Sequence, residues 1–181
     1  WLDNEGIYPT RDAENEYSFY ANKAYPIADD RRKYFQSLCE RKQPYIGYRL
    51  LTLLAEAEIV RSVWTTNFDG LVVKAAHQGN LTPIEVTLES VDRLYRNASR
   101  NELLSIALHG DYKYGELKNT SAELDSQNAV FVDSLVRHFN DKNLIIIGYS
   151  GRDKSLMNAL TSAFSAKGSG RLYWCGYGNK P

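Results

Sequence analysis

The pattern of apolar and polar positions divides the chain into a helical leading part and an alternating remainder. Residues 1–28 are polar and aromatic without a clean period, which predicts a loop or short helices. Helical spacing follows over Asp29–Glu40, with Asp29 or Asp30 expected as the N-cap, and again from Pro44 to Ala57. In the second of these helices Ile46, Leu50, Leu51, Leu53, Leu54 and Ala57 are expected to form the buried face. From Val60 the rhythm changes. Val60–Thr66, Ile84–Leu88, Leu103–Leu108, Asn143–Ile147 and Arg171–Cys175 read as strands. Helices are expected at Asp69–His77, Glu123–Asn140 and Asp153–Ala166. The β-branched run ending at Ile147 is the strongest strand signal, and it predicts a strand covered on both faces. This alternation predicts an α/β fold, a mainly parallel sheet with helices on both sides. Residues 1–44 are expected to be a helical or irregular segment of the same domain as the α/β body at 45–181.

Several predicted strands end in polar clusters, and the carboxyl ends of parallel strands are where ligands bind. Thr65-Thr66-Asn67-Phe68-Asp69 follows the first strand, with Asn67 and Asp69 two positions apart and so on one side if the strand continues. An amide and a carboxylate there can orient a substrate, although Asp69 reads equally as a helix cap and Asn67 as a turn residue. Leu108-His109-Gly110 ends a later strand, and a histidine facing a cleft serves as a general base near neutral pH. A lone histidine at such a position is more often a satisfied edge residue. His77 and His138 fall within predicted helices and are left as structural or surface residues.

Gly148-Tyr149-Ser150-Gly151-Arg152-Asp153 joins a strand to a helix. Its glycines let the backbone approach a ligand, and the helix start offers N–H groups to a phosphate or ribose. A plain strand-to-helix turn capped by Asp153 is the alternative. A nucleophile elbow is rejected, because Arg152 stands where the glycine two places after the serine is required. Cys175-Gly176-Tyr177-Gly178 forms a glycine turn after the last strand, and the tyrosine-rich stretch Asp111–Thr120 reads as a lid or an ordinary exposed connection.

Composition narrows the field. Lys and Arg total 22, as do Asp and Glu, so the chain is neutral and lacks the charge of a broad nucleic-acid surface. Its two cysteines, Cys39 and Cys175, cannot build a four-cysteine zinc site or a disulfide framework, and a reduced cytoplasmic setting is expected. No apolar run approaches membrane-spanning length. The chain starts at Trp1 with Met157 its only methionine, and reads as a piece of a larger protein.

The order of these clusters resembles the sirtuin-like NAD-dependent family over roughly residues 45–178. The Leu-His-Gly-Asp-Tyr and Gly-Tyr-Ser-Gly-Arg-Asp stretches are most similar to bacterial sirtuin-like domains of antiviral defence, which hydrolyse NAD. The resemblance implies a Rossmann-like three-layer fold with NAD as substrate and no zinc. It implies that Asn67 and Asp69 lie beside the nicotinamide and its ribose, with His109 the catalytic base. Thr66 and Phe68 would line the pocket, Gly148, Ser150 and Asp153 would serve the phosphate and ribose side, and Gly176 would lie near the adenosine. Two departures stand out. Residues 1–44 hold one glycine, Gly6, and nothing like the family's Gly-Ala-Gly-x-Ser loop, so the first strand and that loop are expected to lie outside this piece. The four-cysteine zinc module of deacetylase sirtuins cannot exist here, which lowers the odds of an acyl-lysine substrate. A non-catalytic module that binds NAD or ADP-ribose is the principal alternative, and a zinc-free deacylase a lesser one. Restraint of a toxic NAD hydrolase is expected through homo-oligomer assembly or a regulatory domain outside these residues.

Overall fold

The computed structural model describes residues 9, 16–87, 90–109, 129–165, 168 and 170–176. The chain forms two compact units, Tyr17–Thr120, and Trp1–Glu16 with Ser121–Pro181. Both contain parallel strands and helices, giving the expected α/β, Rossmann-like architecture.

In the unit Tyr17–Thr120, helices α1 (Glu16–Ala24), α2 (Ala28–Cys39) and α3 (Ile46–Glu56) precede β1 (Ser62–Thr65). There follow α4 (Leu71–Gln78), β2 (Thr82–Val86), a 3₁₀ turn at Val91–Tyr95 and β3 (Glu102–Ala107). The sheet order is β1-β3-β2, all parallel. Five consecutive residues of the central strand, Leu103 to Ala107, are buried. A strand flanked on both edges and covered on both faces needs such an unbroken run.

Asp29 and Asp30 do not cap α2. Ile27 occupies the cap position without a side-chain bond, and both carboxylates lie in the first turn. Asp29 there pairs with Arg32 and Lys33 at 2.7 and 2.6 Å, one turn ahead, where the helix dipole also favours a negative charge. These pairs, with Lys33 the larger influence, hold the Asp29 carboxyl below its ordinary range. At the other end of α2, the Lys74 ammonium on α4 donates to the carbonyls of Cys39, Glu40 and Lys42 at 3.3, 3.2 and 3.1 Å. One cation thus gathers three carbonyls at the helix end, that of Cys39 also accepting the Lys42 N–H at 3.0 Å. Lys74→Met keeps most of the stem and removes the donor. It is expected to cost about 1–3 kcal/mol, read as a lower denaturant midpoint at unchanged slope; an unchanged midpoint would contradict this role.

The leucine-rich face expected to be buried on α3 is largely exposed: Ile46, Leu50, Leu53 and Leu54 are all open. Thr52 and Ala55 are buried instead, and half-buried Tyr48 continues their stripe. Small residues occupy this face because the chain after α4 comes close. A Cβ on Gly79 would stand 3.6 Å from Thr52 Cβ and 3.0 Å from the Glu56 carboxylate. That carboxylate accepts the Asn80 N–H at 3.0 Å. The resulting core joins Ala55, Val72, Ala76, Leu81 and Leu103, with Tyr48, Val60 and Val63 packed against it.

The other unit contains α5 (Ala129–Phe139), β4 (Leu144–Ile147), α6 (Lys154–Ser165) and β5 (Leu172–Cys175), with β4 and β5 parallel. Its buried residues include Leu135, Phe139, Ile146, Leu156, Ala159, Leu160 and Ala163. The expectation that β4 is covered on both faces is corrected. Ile146 is buried, whereas Ile145 and Ile147 are 59% and 77% exposed, the period-two pattern of a strand covered on one face.

His138 on α5 is half-buried, and desolvation, helped by the nearby Lys142 cation, lowers its pKa from 6.5 to about 4. The unfolded chain therefore takes up a proton that the folded chain refuses, so stability falls as pH drops through that interval. His138→Gln is expected to flatten the fall of the thermal midpoint across this window. Parallel pH profiles for the two proteins would contradict it.

Candidate active site

The site is built where the strands of the first sheet end. Thr65 lies opposite Ala107, and Val86 opposite Ile106, so all three strands finish at one edge. The last link, Leu108 N–H to the Thr65 carbonyl, is 2.9 Å. From this register Asn67 and His109 each stand two residues beyond paired positions. The two clusters separated in sequence by about forty residues thus leave adjacent strands together.

The chain turns sharply after β1. The Thr65 hydroxyl accepts the Asn67 N–H at 3.0 Å, and the Asp69 carboxylate accepts the Leu71 N–H at 3.0 Å. Gly70 between them has φ of 65°, a left-handed conformation that glycine adopts without the Cβ penalty. Asp69 does not cap α4: Gly70 is the cap residue, without a side-chain bond, and Asp69 bonds the first helical N–H from one position earlier. It also lines a shallow cleft together with Thr65, Asn67, the start of α4, Glu85, Thr87 and Ser105. Asn67 is exposed; His109 is half-buried in the turn after β3, outside the lining of that cleft. Thr66 is half-buried at the end of β1. Phe68 turns its ring edge-on to Phe35 of α2 at 4.7 Å and so ties the turn to the helical layer.

Tyr48 is the residue that sequence patterning missed. Its phenol lies near the Asn67 side chain and feels the Asp69 charge; burial first, then that charge, raise its pKa. The signal was present as the spacing Tyr48, Thr52, Ala55, an i, i+4, i+7 stripe hidden among larger leucines.

In the second unit, Asp153 caps α6 by accepting the N–H groups of Ser155 and Leu156 at 2.9 and 3.1 Å and the Ser155 hydroxyl at 2.9 Å. The capping alternative for Asp153 is thus realised. Gly148 and Gly151 have φ of 69° and 75°. Nothing lies within 4 Å of where a Gly148 Cβ would be, whereas a Gly151 Cβ would meet the Trp174 ring at 3.3 Å. Ser150 and Gly176 are exposed. Tyr149 tilts against Trp174, its phenol pushed up to about 12 by burial and the Asp153 charge. Its buried hydroxyl lies near the Asp153 backbone but reaches full hydrogen-bond geometry with no described residue.

The Asp111–Thr120 stretch and Gly110 lie outside the described residues. No group of three or more potential metal ligands occurs among the described residues, and no described helix is long and apolar enough to cross a membrane.

A search of curated proteins finds no match to the chain. The family model for the SIR2-like domain matches residues 61–180, well over half of the chain, and spans both strand-end clusters, the β4–α6 turn and β5. That match, which contains the Thr-x-Asn-x-Asp and His-Gly sequences, shows that the chain belongs to the SIR2-like domain family.

Proposed function

We propose that this domain cleaves NAD at the nicotinamide–ribose bond, giving nicotinamide and ADP-ribose, in the cytoplasm and in the service of antiviral defence. Family membership supports NAD as the substrate. The observation that carries the reading is the β1–β3 register, which brings the Asn67/Asp69 cluster and His109 to the same strand edge.

The donor set suits a nicotinamide riboside: an exposed amide, a carboxylate and threonine and serine hydroxyls at one cleft, with an imidazole on the adjoining turn. The fit does not extend to the pyrophosphate. The sequence before β1 contains only Gly6 and Gly47, with no glycine-rich turn, and no residue there is given that task. Gly148, Ser150, Asp153 and Gly176 are assigned to the phosphate, ribose and adenosine side by family likeness.

NAD when bound supplies a cationic leaving group that departs neutral and needs no general acid. The protein's work is therefore orientation, charge stabilisation and removal of one proton. Asn67 orients the attacking water or a ribose hydroxyl. Asp69 binds the carboxamide or offsets positive charge developing at the ribosyl centre. His109 accepts the proton from water, directly or through a ribose hydroxyl. Thr66 and Phe68 shape the wall, Phe68 through its contact with Phe35. Restraint by a regulatory domain or by homo-oligomer assembly belongs to the same proposal.

Product analysis tests the reaction class. Incubation with NAD is expected to yield nicotinamide and ADP-ribose in equal amounts, whether or not acyl-lysine peptide is present. O-acyl-ADP-ribose appearing only with the peptide would replace hydrolysis with deacylation.

A further inference from the structure

We infer that Glu85 on β2 and Ser105 on β3 form an amide-selecting end of this cleft, so that the domain takes NAD and rejects its deamidated counterpart, in which a carboxylate replaces the carboxamide. The inference rests on the NAD-cleavage reading for its ligand, but its structural basis is separate. One face of β3 carries Leu103, Ser105 and Ala107, and the other carries Leu104 and Ile106. Side chains therefore shrink toward the carboxyl end of the strand on one face only. Leu103 packs with Val72 and Ala76 of α4 in the core, whereas the smaller Ser105 and Ala107 leave a cleft open beside the start of that helix. Ser105 is the one polar residue in the run Leu103–Leu108, and it is buried. Alanine there would pack as well; the hydroxyl adds a donor to the cleft floor. Glu85 stands opposite Ser105 in the β2–β3 ladder and lines the same cleft. Neighbouring strands run about 4.8 Å apart, so one small planar group can touch both residues.

The chemistry of the lining decides what that group is. The Asp69 and Glu85 carboxylates accept hydrogen bonds, the Ser105 hydroxyl can donate one, and no lysine, arginine or histidine lines the cleft among the described residues. Arg93 donates to the Glu85 backbone carbonyl at 2.9 Å without joining the lining. A carboxamide matches this set, with its N–H groups on the carboxylates and its carbonyl on the serine hydroxyl. A carboxylate in its place would set acceptor against acceptor and bring a third negative charge beside two. Such a clash lets a site refuse a molecule of nearly the same shape.

The full-length protein is to be compared on NAD and on the deamidated dinucleotide, following release of nicotinamide or nicotinate, with binding of both measured by calorimetry. kcat/KM is expected to favour NAD at least about a hundredfold. Glu85→Gln keeps the size and removes the charge. It is expected to narrow that preference at least about tenfold, mainly through better use of the deamidated form, while Glu85→Asp keeps most of it. Ser105→Ala is expected to weaken both dinucleotides alike, by about three- to tenfold. Glu85→Thr, neutral and suited to a strand, gives the same reading if Glu85→Gln fails to fold. Equal use of the two dinucleotides by the parent protein, or an unchanged preference in a folded neutral variant at position 85, would overturn the selection. Undiminished handling of NAD by Ser105→Ala would remove the serine from it. Absence of nicotinamide release from the parent protein would instead sink the cleavage reading, while the calorimetric preference and its narrowing in Glu85→Gln still decide the selection.

Discussion

His109→Ala is expected to lower nicotinamide release by ~10²–10⁴-fold while the protein keeps its native circular dichroism and thermal midpoint. The size follows from the loss of a general base. The sparing of the fold follows from position: His109 lies in a turn two residues beyond the end of β3, whereas the strand itself carries the core. Asn67→Ala is expected to cost about as much as an orienting donor at a reacting centre, ~10²–10³-fold, again without unfolding, because Asn67 is exposed. The register supplies the reason to test these two together: each lies two residues past a matched pair, Thr65 and Ala107, on neighbouring strands. A correctly folded His109→Ala protein with full activity would remove the histidine from the mechanism.

Ile106→Ala is expected to cost about 2–5 kcal/mol, the range for deleting a large aliphatic side chain from a filled interior. Ile106 is fully buried on the central strand, between Trp64 on β1 and Val86 on β2 in the same register row. Neither neighbouring strand can move to fill the gap without breaking its ladder. Against a total stability of about 5–15 kcal/mol, that loss is a large fraction. Because Ala107 and Leu108 follow directly and set the edge from which His109 departs, activity should vanish at the same denaturant concentration as the β-sheet signal. A cost below about 1 kcal/mol would show that the sheet is far less tightly packed around β3 than its burial indicates.

The strand order of chemistry was legible from sequence because each apolar run ended in a polar cluster. The strands at Ser62–Thr65, Glu102–Ala107 and Leu144–Ile147 lie within one residue or two of the expected runs. Burial was less legible where large side chains misled. The leucines of α3 predicted its buried face, yet close approach at Gly79 selects Thr52 and Ala55, since helix and turn meet only over small residues. The isoleucines of β4 predicted two covered faces, but composition reports apolarity and not what packs against it. Asp29 was expected as a cap because acidic residues favour both the cap and the first turn; the bases at Arg32 and Lys33 draw it into the turn. Asp153 takes the capping bonds that were weighed beside its functional role, whereas Asp69 stands one residue before the Gly70 cap, bonds the Leu71 N–H and lines the cleft. Lys74 was out of reach, because its partners lie far along the chain and only folding brings the carbonyls of Cys39, Glu40 and Lys42 within range.

The central claim is that the strand edge carrying Asn67, Asp69 and His109 cleaves NAD. A time course of nicotinamide formation by the full-length protein measures this most directly. Many molecules of nicotinamide per protein molecule, lost in His109→Ala, is the predicted result; saturable NAD binding with no nicotinamide formed would contradict it and leave a binding module in place of an enzyme.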